Sequence, residues 1–246
     1  MIRLKVIFIV LLFITLMHGY NYSQISIKLG PMLGLTSPTL DYSGDAKDFY
    51  AGTGYGLRSG LNYGVMAKLG VLSFNGRFSV SYCALDNDGN SDPSNPNSTV
   101  HIENNIVLIT IGPEFAFSIP KSPIKPYGGI DLLFSSFSGL FKFQGTADVS
   151  SDQTTIQSSS RTGLGLSIGS EIMFGNINLD LSIRYNLHNL FSKSYDSPNT
   201  NNRIDAYTNI NDGKDPNYSA TDKKHPIGID RTIATIMFQL GLLFGF

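Results

Sequence analysis

Apolar and polar residues alternate along much of this chain. The clearest case is residues 177–188, INLDLSIRYNLH, where every odd position is apolar and every even position is polar. A period of two places opposite chemistry on the two faces of a β-strand, whereas a helix would scatter these residues around its axis. The segment therefore predicts a strand with one apolar and one polar face.

The same alternation recurs in seven other segments. Each approaches the 9–11 residues that a tilted strand needs to cross a bilayer. The pattern is blurred at Ile106 and Leu108, and it loses phase near Phe137, which predicts a β-bulge there. With 177–188 these segments make eight predicted strands: about residues 25–35, 61–69, 72–83, 107–117, 129–135, 164–174 and 235–246.

The connections between the predicted strands are alternately long and short. Such asymmetry is typical of an up-and-down barrel whose two termini lie on the same side. We therefore predict an all-β fold, a closed eight-stranded antiparallel up-and-down transmembrane β-barrel, formed by one domain over residues 25–246. The long links are residues 36–53, 86–103, 144–161 and 189–231, and the short ones are at Gly70, at 119–126 and at Gly175-Asn176.

The first 24 residues have the features of a signal peptide. Arg3 and Lys5 precede an apolar run over residues 6–17, which is too short to span a bilayer as a helix. We predict a signal peptide over 1–24 with cleavage between about residues 19 and 24, and the alternative is an uncleaved N-terminal anchor. A signal peptide implies export from the cytoplasm.

The composition of the polar face indicates which face is enclosed. A soluble lipocalin-like barrel has the same strand number but a polar outer coat rich in Lys and Glu. Here the polar face is mostly Gly, Ser and Asn, and its charges nearly cancel, which suits a narrow lumen where ions must pair. We predict that the charged residues of this face point into the lumen: Lys28, Lys68, Arg77, Glu114, Asp131, Glu171, Asp180 and Arg184.

Aromatic residues near the strand ends fit the same orientation, because interfacial aromatics mark the edges of a membrane. The chain has a net charge of −1, which argues against a nucleic-acid partner, and its single cysteine, Cys83, excludes an intrachain disulfide. The aromatic residues in question are Tyr63, Tyr82, Tyr127, Phe174, Tyr185 and Phe244.

The last predicted strand ends in alternating large apolar residues. This pattern looks like the terminal signal that the bacterial barrel assembly machinery reads, and with the signal peptide and eight strands the chain resembles the small outer-membrane β-barrel domain family (OmpA-like, opacity-type and PorT-type barrels). The resemblance implies a monomer in the outer membrane, in contact with outer-membrane lipid and assembled by that machinery. The residues of the pattern are Phe238, Leu240, Leu242, Phe244 and Phe246.

Candidate chemistry along the chain is sparse. Some small barrels modify lipids, and His188 with Ser192 near the rim is the best candidate, but no nucleophile–base–orienter arrangement is evident. The loop segments 86–92 and 209–215 carry alternating oxygens that could ligate calcium, with turn formation as the alternative. We predict no catalytic residue, no metal site and no cofactor.

A non-enzymatic role is the function that the sequence favours. An eight-stranded barrel is narrow enough to be filled by its own side chains, so we expect a plugged lumen and a structural or surface-interaction role through the long loops. Residues 189–231, with Tyr195, Tyr207 and Tyr218, suit contacts with an unknown extracellular partner, and the alternative is a mobile loop that shields the barrel. The alternatives are a component of envelope transport or secretion and a lipid-modifying enzyme centred on His188.

Overall fold

The eight predicted strands form a closed antiparallel barrel. The computed structural model describes residues 25–71, 73–146, 149–196, 203–219 and 224–245, so the predicted signal peptide lies outside the described residues. Each strand pairs with the next, and β8 pairs with β1 to close the sheet, which confirms the predicted topology. The strands are β1 (Ile25–Thr39), β2 (Gly60–Val71), β3 (Phe74–Asp92), β4 (Asn95–Ala116), β5 (Ile124–Gln144), β6 (Gln153–Phe174), β7 (Ile177–Leu187) and β8 (Ala234–Gly245).

The two ends of the barrel differ in their connections. At one end, here called the turn end, β2 leads directly into β3, residues 117–123 join β4 to β5, and residues 175–176 join β6 to β7. The first strand, β1, starts at this end and the last strand, β8, finishes there. The other end, here called the loop end, carries the described parts of 40–59, 145–152 and 188–233 and the hairpin between β3 and β4. Among the described residues, no helix is long and apolar enough to cross a membrane.

An apolar belt surrounds the outside of the barrel. On β7, for example, Leu181 and Ile183 are exposed while the alternate residues Asp180, Ser182 and Arg184 are buried inside. The same parity holds on β1, where Leu33 is 61% exposed. In hydrocarbon every backbone N–H and C=O needs a partner, and a closed sheet with an apolar outer wall meets that requirement.

The middle strands continue well past this belt, and here the sequence prediction is wrong. Residues 86–103 were expected to be a polar link, but β3 runs to Asp92 and β4 begins at Asn95, which leaves a turn of residues 93–94. Likewise 144–161 is mostly strand, because β6 begins at Gln153. The expected bulge is confirmed by a shift of the β5–β6 register between Phe137 and Gly139.

Above the belt the chemistry of the two faces is inverted. On β4 the outward residues change from Val107 inside the belt to Glu103 and His101 beyond it, while the inward residues become apolar, as at Ile102 and Ile106. The loop-end half is therefore built like a water-soluble barrel, with an apolar interior and a polar wall. The inversion explains both the missed strands and the blurred alternation at Ile106 and Leu108, which point inward and are fully buried.

A folded cap closes the loop end. It consists of residues 40–59 and the described parts of 188–233, and it packs on the inner apolar faces of β3 to β6. Residues 40–59 contain the short helix α1 (Ala46–Ala51), where the Asp48 carboxylate accepts a hydrogen bond from the Asp45 N–H. Gly52 ends α1 with a φ of 75°, a left-handed conformation that glycine adopts without strain.

Candidate functional site

The lumen of the belt is occupied by side chains of opposite charge. The described ion pairs connect all eight charged residues of the predicted polar face into one network, to which strands β1 to β7 contribute. All are buried except Lys28, which is half-buried near the turn end. The network comprises Lys28, Lys68, Arg77, Glu114, Asp131, Glu171, Asp180 and Arg184.

Lys68 stands at the centre of this network. Its Nζ lies 2.5 Å from an Asp180 oxygen, 2.9 Å from a Glu114 oxygen and 3.9 Å from a Glu171 oxygen. Lys28 donates a hydrogen bond to Glu171. The contacts of Lys68 link β2 with β4, β6 and β7 across the lumen. Separating these strands would leave buried charges unpaired, which costs several kcal/mol.

A second part of the network is formed around two arginines. Arg77 pairs with Asp131 and, at 3.4 Å, with Glu114, and it donates to the Ser167 hydroxyl at 2.6 Å. Arg184 lies 3.7 Å from the same Asp131 carboxylate. Four cations and four anions thus lie close together in the lumen within the belt.

Tyr127 belongs to the same site, although the sequence analysis assigned it to an interfacial ring. Its side chain is 5% exposed, its hydroxyl donates to Asp180 at 2.8 Å, and the Lys68 ammonium lies 4.0 Å from the ring centroid. The signal was present in the sequence, since Tyr127 shares the parity of Asp131 on β5. The predicted interfacial position of Tyr127 is wrong, because the alternation along β5 turns its side chain into the lumen.

His188 lies just beyond β7, enclosed between lumen and cap. Its Nδ1 is 2.7 Å from the Ser135 hydroxyl and its Nε2 is 2.9 Å from the Thr235 hydroxyl, while Phe137 packs edge-on against the ring. Burial lowers the pKa of His188 to about 3. Both ring nitrogens of His188 contact hydroxyl groups, and the residue is only 1% exposed. The candidate partner Ser192 contacts a different group, because its hydroxyl accepts a hydrogen bond from the Thr162 N–H on β6.

Aromatic rings form the interior of the cap. Phe49 from α1 lies within 4.9 Å of Tyr207, 5.6 Å of Phe141 and 6.0 Å of Phe143, measured between ring centroids. On the other side of the cap, Tyr42 is fully buried. Contacts of this kind add about 0.5–1.5 kcal/mol per pair beyond the area buried. The cap and the inner faces of the strands therefore share one apolar core.

One buried carboxylate holds the long connection 188–233 onto the barrel. Asp212 accepts two hydrogen bonds from Arg161 of β6, at 2.9 and 2.8 Å, one from Asn189 at 2.8 Å and one from the Ser194 N–H at 2.9 Å. Arg231 packs its guanidinium 4.2 Å from the Tyr55 ring centroid and joins the two halves of the cap. The sequence pattern does not indicate this cluster, because Arg161 lies in the predicted polar link 144–161.

The two candidate calcium segments have different structures. Residues 86–92 lie on β3, where Asp86 and Asp88 point outward, and the β3–β4 register shifts between Asn90 and Asp92. In 209–215, Asp212 is committed to Arg161, and Asp215 accepts hydrogen bonds from the Asn217 N–H and from His225. Within the described parts of the chain no group of three His, Cys, Asp or Glu residues could hold a metal ion.

The terminal apolar residues of β8 point outward into the belt. Their exposed fractions are between 37% and 50%, and Phe246 lies outside the described residues. Their use as an assembly signal stays a prediction. The four described residues of the pattern are Phe238, Leu240, Leu242 and Phe244.

Comparison with known proteins finds a family model that matches most of the chain. The family model described as "Outer membrane protein beta-barrel domain" matches residues 6–213. No curated protein matches the chain.

Several solved structures are similar in fold at low identity. Neisserial surface protein A is 17% identical with a TM-score of 0.47, covering 92% of this chain and 100% of that one. A major outer membrane protein from Thermus thermophilus is 14% identical with a TM-score of 0.49, covering 89% and 99%. Ail, the attachment invasion locus protein of Yersinia pestis, solved with the heparin analogue sucrose octasulfate, is 13% identical with a TM-score of 0.41, covering 89% and 99%.

Proposed function

Because this chain belongs to the outer membrane protein β-barrel domain family, we propose that it is a closed surface-interaction barrel that presents a folded cap outside the cell. Its place is the outer membrane, where the apolar belt contacts lipid. The loop end faces the exterior and the turn end faces the periplasm, as is usual for such barrels. The extracellular partner binds the cap or the polar wall beneath it, and the protein acts as a monomer without catalysis.

The observations that support this proposal are two groups of buried side chains. Eight paired ions lie in the lumen within the belt, and aromatic residues of the cap pack on the inner faces of the strands at the loop end. A diffusion pore needs a continuous water-filled path, and these two obstructions lie in series along the axis. They support a plugged scaffold over the alternative of a transport component.

The surroundings of His188 support a non-enzymatic role. A general base must reach a substrate proton, either directly or through one water. His188 is enclosed by Phe137, Ser135 and Thr235, and burial holds it neutral. Its position fits a structural bridge between β5 and β8 better than a lipid-modifying site.

Conductance in planar bilayers tests the closed lumen. We expect no stable openings for the natural chain, for Phe49→Ala in the cap or for Lys68→Ala in the belt, because each single variant leaves one closure intact. The double variant Phe49→Ala/Lys68→Ala is expected to conduct. Stable openings in the unaltered protein would overturn the proposal of a plugged barrel.

Labelling of intact cells tests the orientation. A membrane-impermeant amine reagent should modify Lys47, whose side chain is 52% exposed in the cap, and should leave the exposed Lys121 at the turn end unmodified until the cells are lysed. Matched single Lys→Arg variants assign each labelled site. Labelling of Lys121 but not Lys47 on intact cells would show the reverse orientation.

A further inference from the structure

The outer wall of the barrel carries a groove within the lipid belt. It has a volume of about 750 Å³ and crosses five neighbouring strands, from β5 through β6, β7 and β8 to β1. It lies on the outside of the barrel and is open to the exterior: outward-facing side chains border it, and residues of the opposite parity, such as Gly34 and Gly169, lie between them. Water is absent at this depth of a bilayer, so hydrocarbon must fill the groove.

The strand register explains why the groove is long and straight. Two rows of outward side chains run side by side across the strands, one of them Ser170, Leu181, Leu240 and Leu33, the other Ile168, Ile183, Phe238 and Leu35. The rows are two residues apart along each strand, or roughly 6–7 Å, which leaves a channel between them. At β5 the rows continue into Pro126 and Gly128, which are small.

The dimensions of this groove match one acyl chain. Four steps between adjacent strands, at about 4.8 Å each, give a length of roughly 19 Å. Because strands tilt by about 40° from the barrel axis, a line across them rises by about 12 Å, which is comparable with the roughly 15 Å of one leaflet. A chain lying obliquely in the groove would thus stay within a single leaflet and its midplane.

The lower end of the groove identifies the leaflet. Pro126 is two residues from the turn-end start of β5, whereas Leu33 is eight residues into β1, so the groove rises from the turn end towards the middle of the belt. The adjoining turn, residues 117–123, carries the exposed Lys121 and no acidic residue. A cation at the interface next to an apolar channel complements a lipid that has an anionic headgroup.

We propose that this groove seats one acyl chain of an anionic phospholipid of the periplasmic leaflet, and that Lys121 contacts the phosphate of its headgroup. The inference rests on the proposed orientation, in which the turn end faces the periplasm. Apolar contact along the two rows supplies the affinity, and Lys121 supplies the preference for negative charge. The bound chain is a fixed part of the lipid-facing surface, unlike the exchanging lipids around the remainder of the belt.

Native mass spectrometry of the full mature chain, delipidated in detergent and then given palmitoyl-chain phosphatidylglycerol, tests this proposal. We expect the protein to retain one phospholipid. Ser170→Phe fills the channel between the rows and should lower the retained fraction at least fivefold, with Ser170→Leu as a second, smaller variant. Val65→Phe, on the lipid-facing side of β2 outside the groove, is the matched control and should bind as the natural chain does.

Two further measurements separate the chain from the headgroup. Phosphatidylglycerol with heptanoyl chains should be retained at least fivefold less than the palmitoyl form, because it cannot fill the groove. Lys121→Gln should reduce the preference for phosphatidylglycerol over phosphatidylcholine severalfold. Three outcomes would overturn the inference. They are an equal loss of lipid in Ser170→Phe and Val65→Phe, equal retention of short-chain and long-chain phosphatidylglycerol, and displacement of the lipid by lipopolysaccharide. All variants are first checked for the heat-modifiable gel shift of a folded barrel, and lysine labelling tests the orientation separately. A failure of the lipid-binding inference is therefore distinguishable from a failure of the proposed function.

Discussion

Lys68 on β2 and Asp180 on β7 meet across the lumen, with 2.5 Å between Nζ and Oδ2. The two strands are not neighbours in the sheet, since β1 and β8 lie between them. The pair therefore braces the ring as well as neutralising two buried charges. Its partner Glu114 extends the brace to β4.

Removing the ammonium of Lys68 should destabilise the barrel strongly. Lys68→Met leaves Asp180 and Glu114 buried without their principal cation, which costs about 3–5 kcal/mol for pairs of this kind. Urea titration in lipid vesicles, followed by the heat-modifiable gel shift, measures the free energy of unfolding. The matched control is Lys47→Met, whose exposed pair with Asp45 at 3.4 Å should cost less than about 1 kcal/mol. Similar losses in both variants would contradict the bracing role.

Asp212 should control the cap and leave the belt unaffected. In Asp212→Ala, Arg161 loses its bidentate partner and the connection 188–233 loses four hydrogen bonds to one residue. We expect proteolytic cleavage within that connection to become at least tenfold faster, because local opening costs less free energy. Asp152→Ala, an exposed site with only local bonds to Ser150, is the control. A uniform loss of barrel stability would argue against an independent cap.

The buried His188 should make the folded protein sensitive to acid. Its pKa is about 3 in the folded state and about 6.5 in an unfolded chain. Between these values only the unfolded chain binds the proton, so the free energy of unfolding falls as pH falls from about 6.5 towards 3. The measurement compares urea midpoints at pH 7 and pH 5 for the natural chain and His188→Gln, whose amide can replace both hydroxyl contacts. An identical pH dependence in the two proteins would exclude this origin.

His101, on the polar wall above the belt, should behave in the opposite way. Its Nε2 lies 2.9 Å from Glu103 and its Nδ1 lies 2.7 Å from Asp88, with Lys142 opposite on β5. The hydrogen bond to Glu103, and then the one to Asp88, raise the pKa of His101. Any stability from this clamp is present below the unfolded pKa and is lost as pH rises through the folded pKa.

An NMR titration of His101 checks the order of these two causes. The pKa should lie above its ordinary value in the natural chain, and Glu103→Gln should lower it more than Asp88→Asn does. A larger effect from Asp88→Asn would reverse the assignment.

The fold was predictable from the sequence wherever the belt imposes its chemistry. Residues 177–188 alternate because one face meets lipid and the other meets paired ions, and the belt strands were found for that reason. The end of β3 and the start of β4 were missed because water replaces lipid on their outer face. Their polar residues then resemble a loop, although Leu85 and Ile102 are buried in the cap core.

The sequence by itself determined the number of strands, their antiparallel order and the polarity of the two faces, because these depend on a local period of two. Only the tertiary structure decided which ions pair, that Tyr127 joins Lys68 and Asp180, and that Asp212 holds the cap to Arg161. Those contacts join residues 37 to 143 positions apart in the chain. They follow from the shear and closure of the barrel, which no local pattern encodes.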